Sequence, residues 1–121
     1  MAGPPRNRPT MGLTRLIGLP APGRYVLVVG GGPVAARRAQ ALSWAGATVV
    51  VVAPRLCDAM VDLLVERRVA WENRPVRESD LDDAWLVHVA VGNEQAEAMV
   101  RAWVWRRRLA AELTGLHQRV G

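Results

Sequence analysis

The stretch Tyr25-Val26-Leu27-Val28-Val29-Gly30-Gly31-Gly32-Pro33-Val34-Ala35 joins an unbroken apolar run to a glycine turn and a small-residue helix start. An apolar run with no polar alternation predicts a strand buried on both faces, as a central parallel strand is when helices cover both sides of its sheet. Gly30-x-Gly32-x-x-Ala35 follows that strand and opens a helix, the context in which a glycine pattern has a mechanical meaning. Gly30 permits the tight turn, Gly32 lets a ligand's pyrophosphate approach the backbone, and Ala35 is small enough for close helix–strand packing. Pro33 suits the first helical turn, where a missing N–H costs nothing. The helix start then offers unpaired N–H groups and the positive end of its dipole to a phosphate. A P-loop is excluded, because no Gly-Lys-Ser/Thr ending follows.

Outward from this unit the same alternation continues. Val34 to Ala45 predicts a helix, with Ala35, Ala39, Leu42 and Ala45 toward the sheet and Gly46 as its stop. Ala47 to Ala53 predicts a second buried strand, ended by Pro54. Asp58 to Arg67 predicts a helix with Met60, Leu63 and Leu64 as its apolar stripe, and Val69 to Asn73 a strand nearer an edge. After a polar connection, Trp85 to Val91 predicts a fourth strand and Asn93 or Glu94 opens a third helix reaching Arg108. Leu109 to Thr114 reads as more helix, which leaves a fifth strand in doubt. The expectation is a Rossmann-like α/β domain of three layers around a parallel sheet, strand order 3-2-1-4. The chain divides into an N-terminal extension (1–10) expected to be disordered, a dinucleotide-binding domain (11–108) and a divergent tail (109–121). Leu13 to Leu19 forms an apolar lead-in to the domain.

Bulk properties narrow the class. The 121 residues suffice for one domain, and 50% hydrophobic with 22% charged residues is a globular composition. No apolar run approaches the ~20 residues that cross a bilayer, and no signal-peptide pattern opens the chain, so a cytoplasmic location is expected. Cys57 is the single cysteine and reads as a small, partly buried packing residue at a loop-to-helix transition. His88 lies in an apolar run and reads as a core or sheet-face residue, whereas His117 lies in the polar tail. These residues do not suggest a protein-built metal site.

The net charge of +5 sits at the two ends, because residues 11–100 carry nine arginines against ten acids. Nucleic-acid binding through Arg106 to Arg108, with Trp103 and Trp105 stacking, is therefore not expected. Arginines at a helix C-terminus are favoured by the dipole in any case. The tryptophans read as packing against the sheet or as left exposed. The usual acid that grips the ribose at the end of the second strand is replaced by Val52-Ala53-Pro54-Arg55. Arg55 can meet a 2′-phosphate, favouring NADP, or lie over the adenine, and the residues leave that choice open.

Tyr25 to Arg38, then Ala45-Gly46-Ala47, Val51-Val52-Ala53-Pro54 and Asp80 to Val87, together resemble the N-terminal domain of siroheme synthase. That family comprises bifunctional precorrin-2 dehydrogenases and sirohydrochlorin ferrochelatases. The resemblance runs from about Leu13 to Arg108. It implies NAD as cofactor, since the family also lacks the ribose-binding acid, and oxidation of precorrin-2 to sirohydrochlorin by hydride transfer. Iron insertion, a lyase activity with ferrous iron as substrate, follows in many members. The family's cofactor-binding positions, just after the triple glycine and in the turn after the second strand, are matched by Pro33 and Val34 and by Pro54 and Arg55; with Gly30, Gly31 and Gly32 of the turn these are the expected cofactor-binding residues.

Three departures accompany the match. Val91-Gly92-Asn93 stands where the family reads Ala-Thr-Asp-Asp. The family's acid/base aspartate, counted without gaps from Trp85, falls on Gly115, so the catalytic residue is unknown here. The family's dimerisation and substrate-binding segments lie beyond Gly121. The pattern fades after about Ala102, as a shifted frame, a misplaced gene end or divergence would produce. A non-catalytic NAD(H)-sensing module is the alternative expectation.

Overall fold

The computed structural model describes residues 23–107 and 110–113, the last four by backbone alone. The expectations for residues 1–10, Leu13 to Leu19, Gly115, His117 and the tail from residue 114 lie outside the described residues.

Five parallel strands form one sheet in the order β3-β2-β1-β4-β5. β1 (Tyr25–Val29) lies between β2 (Thr48–Val52) and β4 (Leu86–Val89), with Val28 opposite Val51 on one side and His88 on the other. β3 (Val69–Glu72) flanks β2. Val26 to Val29 are at most 2% exposed, as the unbroken apolar run requires of a strand covered on both faces.

Alternate side chains of these strands feed two cores. Val26, Val28, Val49 and Val51 pack with Ala35, Ala39 and Leu42 of α1 (Pro33–Trp44) and with Met60 and Leu63 of α2 (Asp58–Val65). Leu27, Val29, Val52, Val87 and Val89 pack on the opposite face with Leu81 and with Val100 and Val104 of α3 (Glu94–Arg107). The order 3-2-1-4 and the three-layer Rossmann-like architecture are thus present. His88 is buried within β4, as its apolar setting indicated. Trp103 is partly buried against the second core, whereas Trp105 is exposed.

Two expectations need correction. Ala110–Leu113 is not a continuation of α3 but a strand, β5, paired in parallel with β4 from Leu86–Ala110 to Val89–Leu113. Alanine, glutamate and leucine have strong intrinsic helix preference, and the ladder offered by the open edge of β4 overrides it. Ala45 does not face the sheet either; it is the exposed C-cap of α1.

Helix ends are set by two matching backbone turns. Gly46 adopts φ +96 and donates to the Ser43 carbonyl, while the Ala47 N–H reaches the Leu42 carbonyl. This is a Schellman closure with glycine in the left-handed position. α2 ends in the same pattern, Arg67 to Leu64 and Arg68 to Leu63, but there the left-handed residue is Arg67 at φ +62.

Candidate functional site

At the C-terminal end of the strands, a groove of about 1030 Å³ opens between the turn after β1, the loop after β2 and the start of α3. Gly30, Gly31, Gly32, Pro33, Val34, Pro54 and Arg55 all line it. The seven candidate positions are therefore brought together in one place. Ligand sites of open parallel sheets lie outside the carboxyl ends of the strands, where strand order reverses. Here that reversal is the gap between β1, which leads to β2, and β4.

Each glycine of the turn answers a different demand. Gly30 has φ +128, and a Cβ there would meet the Ala90 carbonyl. A Cβ on Gly31 would run into the Arg55 carbonyl. Both are held by the protein's own backbone: the Gly30 N–H donates to Val52 at 3.1 Å, and Cys57 N–H donates to Gly31 at 2.8 Å. Gly32 differs, because nothing lies within 4 Å of a Cβ built there. Its openness faces the groove, where a pyrophosphate needs the space.

Gly32 is also the N-cap of α1, with Pro33 in the first turn, no side-chain cap and no acid. The first N–H groups of a helix have no carbonyl behind them, so the α1 start presents donors and a positive dipole end to the groove. Asn93 caps the other helix at the site: its side-chain oxygen accepts the Ala96 N–H at 2.9 Å. The groove wall between these ends is mostly apolar, with Val29, Val52, Ala53, Leu56, Val76, Ala90, Val91 and Met99 among its lining residues. Charged side chains are few among the lining residues: Arg55, Glu94 and Glu97. Glu97 is 1% exposed and both its carboxylate oxygens are buried. Cys57 is partly buried, packs against the first core and occupies the N-cap position of α2 without a side-chain hydrogen bond.

Sequence reasoning did not anticipate the contributions of Pro75, Val76 and Met99. The Pro75–Val76 pair could have been found as an apolar island in an otherwise polar connection. That connection is organised by Asp80, whose carboxylate receives both Arg74 guanidinium nitrogens at 2.8 and 2.6 Å and the Arg77 N–H at 2.7 Å. The Arg74 hydrogen bonds hold the Asp80 carboxyl below its ordinary value; partial burial works against them and the Arg77 N–H adds to them. Tyr25 reaches the Asp80 carbonyl at 3.5 Å, and burial followed by the nearby Asp80 charge raises its phenol.

A backbone cradle with an open Cβ position, two helix starts and an apolar wall fits a dinucleotide, and the fold and site define a Rossmann-type nucleotide-binding domain. An NAD(P)-binding family model matches residues 17–115. The chain belongs to the siroheme synthase N-terminal domain family. Siroheme synthase of Sodalis glossinidius is 38% identical over 90 residues, 74% of this chain and 19% of that protein. Siroheme synthase of Baumannia cicadellinicola is 36% identical over 90 residues, 74% of this chain and 20% of that protein. The chain thus spans about one fifth of the length of these relatives. Among solved structures, the precorrin-2 dehydrogenase SirC superposes with a TM-score of 0.67 at 30% identity, covering 71% of this chain and 43% of that one. Among the described residues no helix is long and apolar enough to cross a membrane.

Proposed function

We propose that this chain holds NAD for the oxidation of precorrin-2 to sirohydrochlorin in siroheme biosynthesis, as the cofactor-binding part of the active protein. The observation that carries the reading is the glycine turn: Gly30 and Gly31 are closed by the protein's own backbone, and Gly32 alone is open. The similarity to siroheme synthases and to a precorrin-2 dehydrogenase supports this choice of reaction. A bound nicotinamide dinucleotide would supply the hydride acceptor for this oxidation. The N–H groups of Gly32, Val34 and Ala35 would hold the pyrophosphate, Pro54 and Arg55 would border the adenosine ribose, and the apolar wall would keep water from the ring faces. NAD is the cofactor of this reading, because the family pattern without a ribose-binding acid extends through Pro54 and Arg55.

Oxidation also releases a proton, and its acceptor is to be sought beyond Glu94 and Glu97. The oxygens of Glu97 are buried, and Glu94 sits in the first turn of α3, where its charge complements the helix dipole. The tetrapyrrole and, for a following chelation step, ferrous iron are the proposed substrates, acted on by a homodimer as in the family. A specific observation favours a second reading, an NAD(H)-sensing module without catalysis: among the described lining residues only Glu94 and Glu97 carry carboxylates, and both oxygens of Glu97 are buried. Anaerobic assay of precorrin-2 oxidation with NAD, following NADH at 340 nm, separates the two. Turnover that Gly32→Val removes supports the dehydrogenase; tight NADH binding without turnover supports the sensor. No binding of either dinucleotide overturns both.

A further inference from the structure

The groove crosses the sheet end from the β3–β2 side to the β4 side, with the glycine turn of β1 between them. A pyrophosphate on that turn sends one nucleotide each way. The end of the second strand is where a Rossmann domain meets the adenosine ribose, so the adenine half lies toward β2 and β3. On that side Pro75 is exposed and Val76 is half-buried, and both line the groove. Val76 and Val91 pack on the core that contains Val29 and Val52, so these apolar side chains form a continuous wall at the groove. A purine has two flat, weakly hydrated faces and suits such a wall.

Pro75 and Val76 belong to no helix or strand, and loops are positioned by what ties them. Their tie is the Arg74 fork on Asp80, which brackets the pair from residue 74 to residue 80. Asp80 simultaneously accepts the Arg77 N–H, so one carboxylate fixes the chain on both sides of Pro75–Val76. Two parallel charge-assisted hydrogen bonds set geometry as well as attraction. A lysine in place of Arg74 would keep the charge and lose the fork.

From this bracket we infer that Arg74 and Asp80 are a positioning pair for the cofactor, holding the Pro75–Val76 wall against the adenine ring. The inference rests on the groove being the dinucleotide site. Its test compares the two halves of the cofactor on the full chain, using AMP and nicotinamide mononucleotide as separate ligands and NAD as the whole. Arg74→Ala is expected to weaken AMP and NAD by about tenfold, and nicotinamide mononucleotide by less than about twofold. Arg74→Lys should fall between. Val76→Ser leaves the ion pair in place and should show the same split, which keeps the test open if Arg74→Ala does not fold. Equal weakening of both halves, or unchanged AMP affinity in folded Arg74→Ala and Val76→Ser, overturns the positioning role. If the unmodified chain binds neither AMP nor NAD, the dinucleotide reading falls and this one falls with it.

Discussion

The Cys57 N–H donates to the Gly31 carbonyl at 2.8 Å, tying the loop after β2 to the middle glycine of the turn after β1. The same two segments meet again where a Cβ on Gly31 would strike the Arg55 carbonyl. Gly31 is therefore a packing glycine, whereas Gly32 is open and is the glycine proposed to face the ligand. Gly31→Ala should destabilise the fold by about 1–3 kcal/mol through overpacking. Gly32→Val should change stability by less than about 1 kcal/mol and yet abolish dinucleotide binding. Urea unfolding and NAD titration on both variants check the contrast; retained NAD affinity in Gly32→Val means the turn is not the site.

Arg67 holds the left-handed position that Gly46 holds in the equivalent turn of α1. A side chain there is strained, so Arg67→Gly should stabilise the protein by roughly 0.5–1 kcal/mol. A lower urea midpoint for the variant would show that Arg67 contributes a compensating contact larger than the strain.

The Arg74–Asp80 fork has a pH signature. The Asp80 carboxyl is lowered from 3.8 chiefly by its hydrogen bonds to Arg74. A depressed carboxyl contributes stability above its unfolded value and loses it as pH falls through the folded value. Unfolding midpoints of the unmodified chain should therefore drop more steeply below pH 3.8 than those of Asp80→Asn. Tyr25 acts with the opposite sign: its phenol is raised from 10.0, chiefly by burial, so that stability is present below that pH and lost above it. Tyr25→Phe should flatten the alkaline limb.

Cofactor choice turns on Arg55. NAD should bind more tightly than NADP, and Arg55→Ala should weaken NADP more than NAD, because only the former carries a 2′-phosphate for the guanidinium. Calorimetric titration of both cofactors against both proteins measures this. NADP bound more tightly by the unmodified chain would assign Arg55 to the phosphate and reverse the proposed preference.

What was legible in the sequence follows from how many constraints each segment carries. Val26 to Val29 had to be a doubly covered strand, and Gly30 to Ala35 had to be a turn into a helix, because no other structure satisfies so many apolar and glycine positions at once. β5 was illegible for the opposite reason. Ala110-Ala111-Glu112-Leu113 has local preferences for helix, and its strand form comes from pairing with β4, a partner far away in the chain. The glycine half of the site was readable because its demands are made by backbone. The Pro75–Val76 wall was not, since the distance between a connection and a groove is a property of the folded chain.

β5 also decides how short a usable fragment can be. Leu86 to Val89 are buried on both faces, and β5 covers the one edge of β4 that β1 does not. A chain cut at residue 109 would leave that apolar edge with unsatisfied N–H and C=O groups, a template for pairing with other molecules and for precipitation. Expression boundaries for binding studies should therefore extend past Leu113, even though the residues that line the groove end at Met99 in α3.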